Sequence, residues 1–369
     1  MKTQMMPDNK GNRRQHATFM SAVVLCLTLA AGCRSLGPQS VVRDRTDYSR
    51  GIADSWKAQT LLNIVKMRYL DLPIWLDVGQ VVSGYSMETS GNIGGQLSST
   101  KAVQGDTLSL GVQGKFTDRP TITYVPLTGQ RFLEGFLTPV KPAKIFHLIQ
   151  SGYAADFILE LSVESLNGLR NRPTTFASTR QATPEFYQVL TLLRDIQDVG
   201  AFGMRVEPGT NSQPAVVFFF RGDGISPEVQ DKMVRVRQML GIASEGASFR
   251  LVNSPVRIGP TDIAVDTRSL MQMLMAMAGG VEVPARHRDR RLTPPMPDAA
   301  DVTNTLMRIH SGDAQPQDAF AAVSYEGAWF WIANDDWKTK RTFTSILFLF
   351  SLADTGSADN LPTITIPAQ

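Results

Sequence analysis

Several residue sets in this chain match the spacing of known chemistry. Ser98-Ser99-Thr100-Lys101 fits S-x-x-K, in which a lysine one helical turn on activates a serine. That chemistry needs the serine at a helix N-terminus, whereas these residues sit in a glycine-rich stretch of β character with no K-T-G partner. His287-Arg288-Asp289 matches the kinase tripeptide, but Pro294 stands where the metal-binding asparagine belongs and no phosphate loop precedes it. Glu160 and Glu164 suggest a glycosidase pair. On an expected strand Phe157 to Val163 they share a solvent-facing side about 13 Å apart, beyond the roughly 5 to 9.5 Å that either glycosidase geometry needs. Met271, Met273, Met275 and Met277 supply thioethers that suit Cu(I). On a helix they pair as 271/275 and 273/277 on different faces, the pattern of core packing. Arg221-Gly222-Asp223 spells a cell-attachment tripeptide that a strand end and glycine turn produce freely. His147, His287 and His310 have no i, i+4 partner for a metal. The expectation is a protein with no catalytic residues, no metal and no cofactor.

One cluster suits binding. Arg286, Arg288, Arg290 and Arg291 surround His287 and could grip phosphate-bearing headgroups; the plainer alternative is a solvated linker partly balanced by Asp289.

The N-terminus carries a different signal. Lys2, Lys10, Arg13 and Arg14 stand against a single acid, Asp8, and precede the apolar run ATFMSAVVLCLTLAAG, too short and wrongly flanked for a membrane span. The run ends in Leu29-Ala30-Ala31-Gly32-Cys33, which resembles a bacterial lipobox, with Ala30 where leucine is commoner. The resemblance covers residues 17–33. It implies that diacylglycerol and an N-acyl chain are attached to Cys33, that residues 1–32 are removed, and that Arg34, not being aspartate, goes with outer-membrane sorting. Several acyl chains at about 0.8 kcal/mol per buried CH₂ would anchor the protein far more firmly than one myristoyl group.

Composition agrees with a globular body. The chain has 369 residues, 43% hydrophobic and 19% charged, which excludes a disordered tail. The leader holds four of the 37 basic and one of the 34 acidic residues, so the remainder is neutral and gives no bulk reason to expect nucleic acid. On the same resemblance, of two cysteines Cys26 would leave with the leader and Cys33 would be committed to lipid, so that packing alone would stabilise the fold.

The elements that must position these residues follow from patterning. Residues 33–47 read as lipidated cysteine and tether. In 48–152 an amphipathic helix from Tyr48 to Tyr69 precedes a glycine-rich β-meander or hairpin, then short helices near 128–137 and 142–150. Residues 153–283 give strand Phe157–Val163, a helix opened by Thr183-Pro184-Glu185, strands Phe202–Val206 and Ala215–Arg221, a helix opened by Ser226-Pro227-Glu228, and strand Phe249–Val252. That is the β-α-β-β-α-β order of a ferredoxin-like unit. A helix from Arg268 to Ala278 ends it, and 284–300 is a basic, proline-rich linker. Residues 301–369 read as β-β-α-β: hairpin Ala319–Tyr325 with Ala328–Ile332, a helix capped at Asp335 or Asp336, and strand Thr363–Ile366. The cluster SILFLFSLA falls well short of the roughly 20 residues of a spanning helix. The class is therefore α+β.

These readings predict an outer-membrane-anchored periplasmic lipoprotein that acts as a non-catalytic binding and assembly component, with the membrane and envelope proteins as partners. Two alternatives are a periplasmic cell-wall hydrolase, which would need Asp335, Asp336 or Glu160 beside a histidine in a pocket, and an oligomeric pore-forming secretion lipoprotein. Thr107 to Phe116 has the length of a spanning strand, but the opposing candidate Ile93 to Val103 would place Lys101 on the face of Ile93, Leu97 and Val103. That would cost about 2 to 4 kcal/mol at mid-bilayer, so a soluble hairpin is expected.

Overall fold

Leu61, Ile64 and Val65 recur at helical spacing and are fully buried on helix α1 (Pro38–Arg68) of the computed structural model. The structure describes residues 38–82, 85–96, 107–118, 121–174, 181–207, 215–242, 248–295, 306–353 and 363–365. Its chain forms two compact units, Met1–Trp56 and Lys57–Gln369. The helix starts at Pro38, not Tyr48, so the flexible tether expected to run to Asp47 is helical from Pro38 on. No proline and no glycine before Gly51 interrupts it, and proline suits the first helical position. Leu70, at φ 58°, ends it ahead of Pro73.

The glycine-rich region forms a long two-stranded ribbon. Strands β1 (Leu76–Val82), β2 (Tyr85–Gln96), β3 (Thr107–Asp118) and β4 (Thr121–Pro126) pair as β1 with β4 and β2 with β3, all antiparallel. A bulge at Gly79 resets the register once; from there Gln80↔Thr123 through Val82↔Thr121 is in phase with Tyr85↔Asp118 through Gln96↔Thr107. The expected hairpin is present with a corrected partner strand. Residues 85–96, not 93–103, oppose Thr107–Asp118, and Leu97, Lys101 and Val103 lie outside the described residues.

A helical turn over Gly129–Phe132 and a π-helical turn over Leu133–Leu137 lead into α2 (Pro142–Gln150) and α3 (Ala155–Ser162). Helix α3 replaces the expected strand Phe157–Val163. Phe157, Ile158, Leu159 and Leu161 are buried on all sides, and such a short apolar run reads equally well as a buried strand or a buried helix. The chain becomes extended at β5 (Val163–Leu166) and β6 (Leu169–Arg170). Then follow α4 (Pro184–Asp198), β7 (Phe202–Glu207), β8 (Ala215–Phe220), α5 (Pro227–Leu240), β9 (Ser248–Val252) and β10 (Asp262–Thr267).

Both proline-opened helices close as expected on left-handed glycines, Gly200 at φ 64° and Gly241 at φ 59°, where a Cβ would strain the backbone. The six-stranded sheet runs β6-β5-β10-β9-β8-β7. The ferredoxin-like arrangement is not formed. Helix α5 joins β8 to β9, which are adjacent and antiparallel rather than parallel, and β10 pairs with both β9 and β5. The α+β class holds, with the unit order revised.

Helix α6 (Leu270–Ala278) starts with a capping box between Ser269 and Gln272. The proline-rich linker contains a short helix, α7 (Ala285–Asp289), whose His287 is fully buried. Strands β11 (His310–Gly312), β12 (Ala319–Tyr325) and β13 (Ala328–Ala333) form a sheet ordered β11-β13-β12, followed by α8 (Trp337–Ala353). The last strand, β14 (Thr363–Thr365), leaves that hairpin and lies parallel to β1, Val81 opposite Ile364. The C-terminal segment thereby braces the base of the ribbon.

Candidate functional site

The ribbon is tied to the body by two amide side chains of α1. Asn63 donates to the Ile74 carbonyl at 2.8 Å and accepts from the Ile74 N–H at 3.1 Å. Gln59 does the same with Leu76, at 3.0 and 2.8 Å. These amides stand in for a neighbouring strand at the start of β1. Beyond the braced base, β2 and β3 form a two-stranded sheet. In their register Met87, Thr89, Gly91, Ile93 and Gly95 lie opposite Phe116, Gly114, Val112, Leu110 and Leu108 on one face. Ser86, Glu88, Ser90, Asn92, Gly94 and Gln96 lie opposite Thr117, Lys115, Gln113, Gly111, Ser109 and Thr107 on the other. One face therefore carries no ionisable residue from Met87 to Gly95 and from Leu108 to Phe116, while the other carries polar residues and two glycines.

A second arrangement lies where α1 ends. The Tyr69 hydroxyl is 2.6 Å from His287 Nδ1, and the Tyr325 hydroxyl donates to Asp71 at 2.9 Å. The Tyr69 ring meets His287, Tyr325 and Phe330 edge-on at 5.7, 5.2 and 6.0 Å between centroids. Burial pushes the Tyr69 hydroxyl up to about 12, against the pull of Arg68. Burial, with Arg286 and Arg290 nearby, lowers the His287 imidazole, so the ring is neutral at neutral pH. A protonated phenol hydrogen-bonded to a neutral imidazole locks α1 to α7. Arg68, also fully buried, donates to the Pro294 carbonyl at 3.1 Å. Beside it lies a cavity of about 730 Å³ lined by Met67, Leu70, Leu72, Phe132, Met271 and Met275 among others. Met271 and Met275 thus border a cavity, while Met273 and Met277 are wholly in the core.

The glutamate pair is corrected. Glu160 sits on α3 and Glu164 on β5, and neither is a solvent-facing strand residue. Glu164 holds the buried Arg268 guanidinium at 2.9 Å, and Arg268 also donates to the Glu160 carbonyl at 3.1 Å. Burial raises the Glu160 carboxyl above its ordinary range, partly offset by Arg172 at 3.9 Å. Asp336 caps α8 by accepting the Thr339 N–H at 2.9 Å; although burial opposes it, the Thr339 hydrogen bonds hold its carboxyl low. A second cavity, of about 650 Å³, is lined by His147, Tyr153, Met204 and Phe348 among others. Neither cavity is lined by Glu160, Asp335 or Asp336. Among the described residues, no three His, Cys, Asp or Glu side chains converge as a metal site would require.

The arginine cluster is exposed but divided. Arg286 bridges to Asp313 at 2.9 Å and also donates to the Gly327 carbonyl, and Arg288 donates to the Val283 carbonyl at 3.0 Å. Arg290 and Arg291 lie at the end of α7. Leu29, Ala30, Ala31, Gly32, Cys33 and Ser98 to Lys101 fall outside the described residues. Sequence reasoning missed the buried Arg68 and Arg268 and the Tyr69–His287 lock, since a lone arginine or histidine carries no pattern that announces burial. Its signal for the ribbon was the alternation of Leu108, Leu110 and Val112; the matching alternation from Met87 to Gly95 is diluted by three residues without a large apolar side chain, Thr89, Gly91 and Gly95. Compared with protein-family models, curated proteins and solved structures, the chain matches none.

Proposed function

We propose that this chain is an outer-membrane-anchored periplasmic lipoprotein, a non-catalytic binding and assembly component of a cell-envelope complex. The observation that carries the reading is Leu29-Ala30-Ala31-Gly32-Cys33 at the end of a basic and then apolar leader. Two structural features support it. The β2–β3 ribbon sorts apolar and polar residues onto opposite faces, an arrangement suited to association. The exposed Arg290 and Arg291, with Arg286 and Arg288 nearby, present positive charge to anionic headgroups.

The test is metabolic labelling with an alkyne fatty acid in a bacterium that processes lipoproteins, followed by envelope fractionation and mass analysis of the N-terminal peptide. The expected result is label on Cys33, recovery with the outer membrane, and loss of both in Cys33→Ala. An unacylated N-terminus on protein recovered without detergent overturns the proposal. Crosslinking in intact envelopes then identifies the partners.

A further inference from the structure

We infer that the β2–β3 ribbon is a membrane-inserting hairpin that supplies two strands to a β-barrel closed by other copies of this chain. The inference deepens the proposed function and rests on it for the closeness of the bilayer. Its structural warrant is the register. Strands that cross a bilayer in a barrel run about 9 to 11 residues and alternate between a lipid-facing apolar side and a lumen-facing polar side. Here each strand has 12 residues, and inside the end pair Tyr85↔Asp118 the pairing sorts them by face. From Met87 to Gly95 and from Leu108 to Phe116, one face holds only apolar residues, glycine and one threonine. The other holds serine, threonine, asparagine, glutamine, glycine and one opposed pair of charges, Glu88 and Lys115.

The dimensions agree. The eleven steps of about 3.3 Å in each strand extend roughly 36 Å, and a tilt of about 40° reduces this to roughly 28 Å; the apolar part, eight steps from Met87 to Gly95, covers roughly 20 Å of the apolar band of about 25 Å in outer-membrane barrels. The register pair at the base of the apolar face is Tyr85 with Asp118, an aromatic and an acid where the interface would begin. The next pair is Met87 with Phe116. Lys101 and Asp106 lie in sequence between the two strands, outside the described residues.

The same geometry decides the partner. A ribbon of two strands has two outer edges, and hydrocarbon offers nothing to hydrogen-bond their backbones. Insertion therefore requires that each edge pair with another ribbon, and a second copy of this chain supplies one of matching length and facing. In water such an isolated two-stranded hairpin is marginal. The lysine that argued against a spanning hairpin does so only in a pairing the structure does not adopt.

The experiment uses the acylated full chain, whose one mature cysteine is blocked by lipid, with single cysteines placed along the ribbon and labelled with an environment-sensitive fluorophore. The protein is reconstituted from detergent into phosphatidylethanolamine–phosphatidylglycerol vesicles. Labels at Met87→Cys, Ile93→Cys and Leu110→Cys are expected to shift to the blue and to be quenched by lipid-attached quenchers, while Ser90→Cys, Asn92→Cys and Gln113→Cys remain aqueous. Vesicles loaded with dye should leak, and Leu110→Arg, checked for folding by circular dichroism, should reduce leakage by about tenfold or more.

Acylated, vesicle-bound protein whose two label sets are equally aqueous overturns the inference and leaves the anchor intact. A blue shift that appears without vesicles and is insensitive to lipid quenchers assigns the face to a protein partner and also overturns it. Alternating insertion of a chain that carries no acyl group overturns the anchor alone.

Discussion

Arg268 and His287 are polar side chains that the fold has taken fully out of water, and each leads to a measurable consequence. Arg268 joins β10 to α3 and β5 through Glu164 and the carbonyls of Glu160 and Arg172. Removing it takes the guanidinium from Glu164 and a donor from the carbonyls of Glu160 and Arg172. Arg268→Ala is expected to cost about 3 to 5 kcal/mol, read as a lower urea midpoint, with Glu164→Gln costing less because the arginine retains its carbonyl partners. For His287 the sign follows from its lowered folded-state value. As pH falls below the ordinary value of 6.5, the unfolded chain gains a proton that the folded chain excludes. The stability that His287 contributes is therefore complete above that value and declines on acidification. His287→Gln should flatten the decline between about pH 7 and 5 in denaturant titrations. Neither role was legible in the sequence. His287 stood among four arginines in a segment that read as solvated linker, and it is tertiary packing, with Tyr69 against its ring, that buries it.

At the scale of elements, legibility followed local chemistry. The helices opened by Pro184 and Pro227 and closed by Gly200 and Gly241 formed where expected, because caps and breakers act within a few residues. The segment Phe157–Val163 did not become a strand, because a run buried on every side has no period to read. Asp336 shows capping at work on α8. Asp336→Ala should cost about 1 kcal/mol, and the lowered carboxyl means that this stabilisation persists above pH 4 and fades as acid protonates it. Gly280 is more demanding. A Cβ there would run into the Met307 carbonyl oxygen, beside the bond from the Ile309 N–H to the Gly280 carbonyl at 2.9 Å. Gly280→Ala should lose about 2 to 4 kcal/mol by calorimetry. Gly135→Ala, with open space around the added methyl, is the control and should be close to neutral.

For the whole molecule, the joint between ribbon and body governs behaviour. Strand β14 closes on β1 from the far end of the chain, and α1 supplies Gln59 and Asn63 at the start of the same strand. Truncation after Ala353 removes one of these supports. Hydrogen exchange should then quicken at Val81 and Val82 by about tenfold or more, while the core amides around Val265 and Phe330 keep their protection. The sequence by itself determined the α+β class, the capped helices and the existence of a glycine-rich hairpin, since each is written in residues that act on near neighbours. Only the tertiary structure decided which strand opposes Thr107–Asp118, and with it that the apolar residues of the ribbon fall on one face. Pairing register is a property of two segments at once: a one-residue slip exchanges the faces, and no local signal in either strand specifies it.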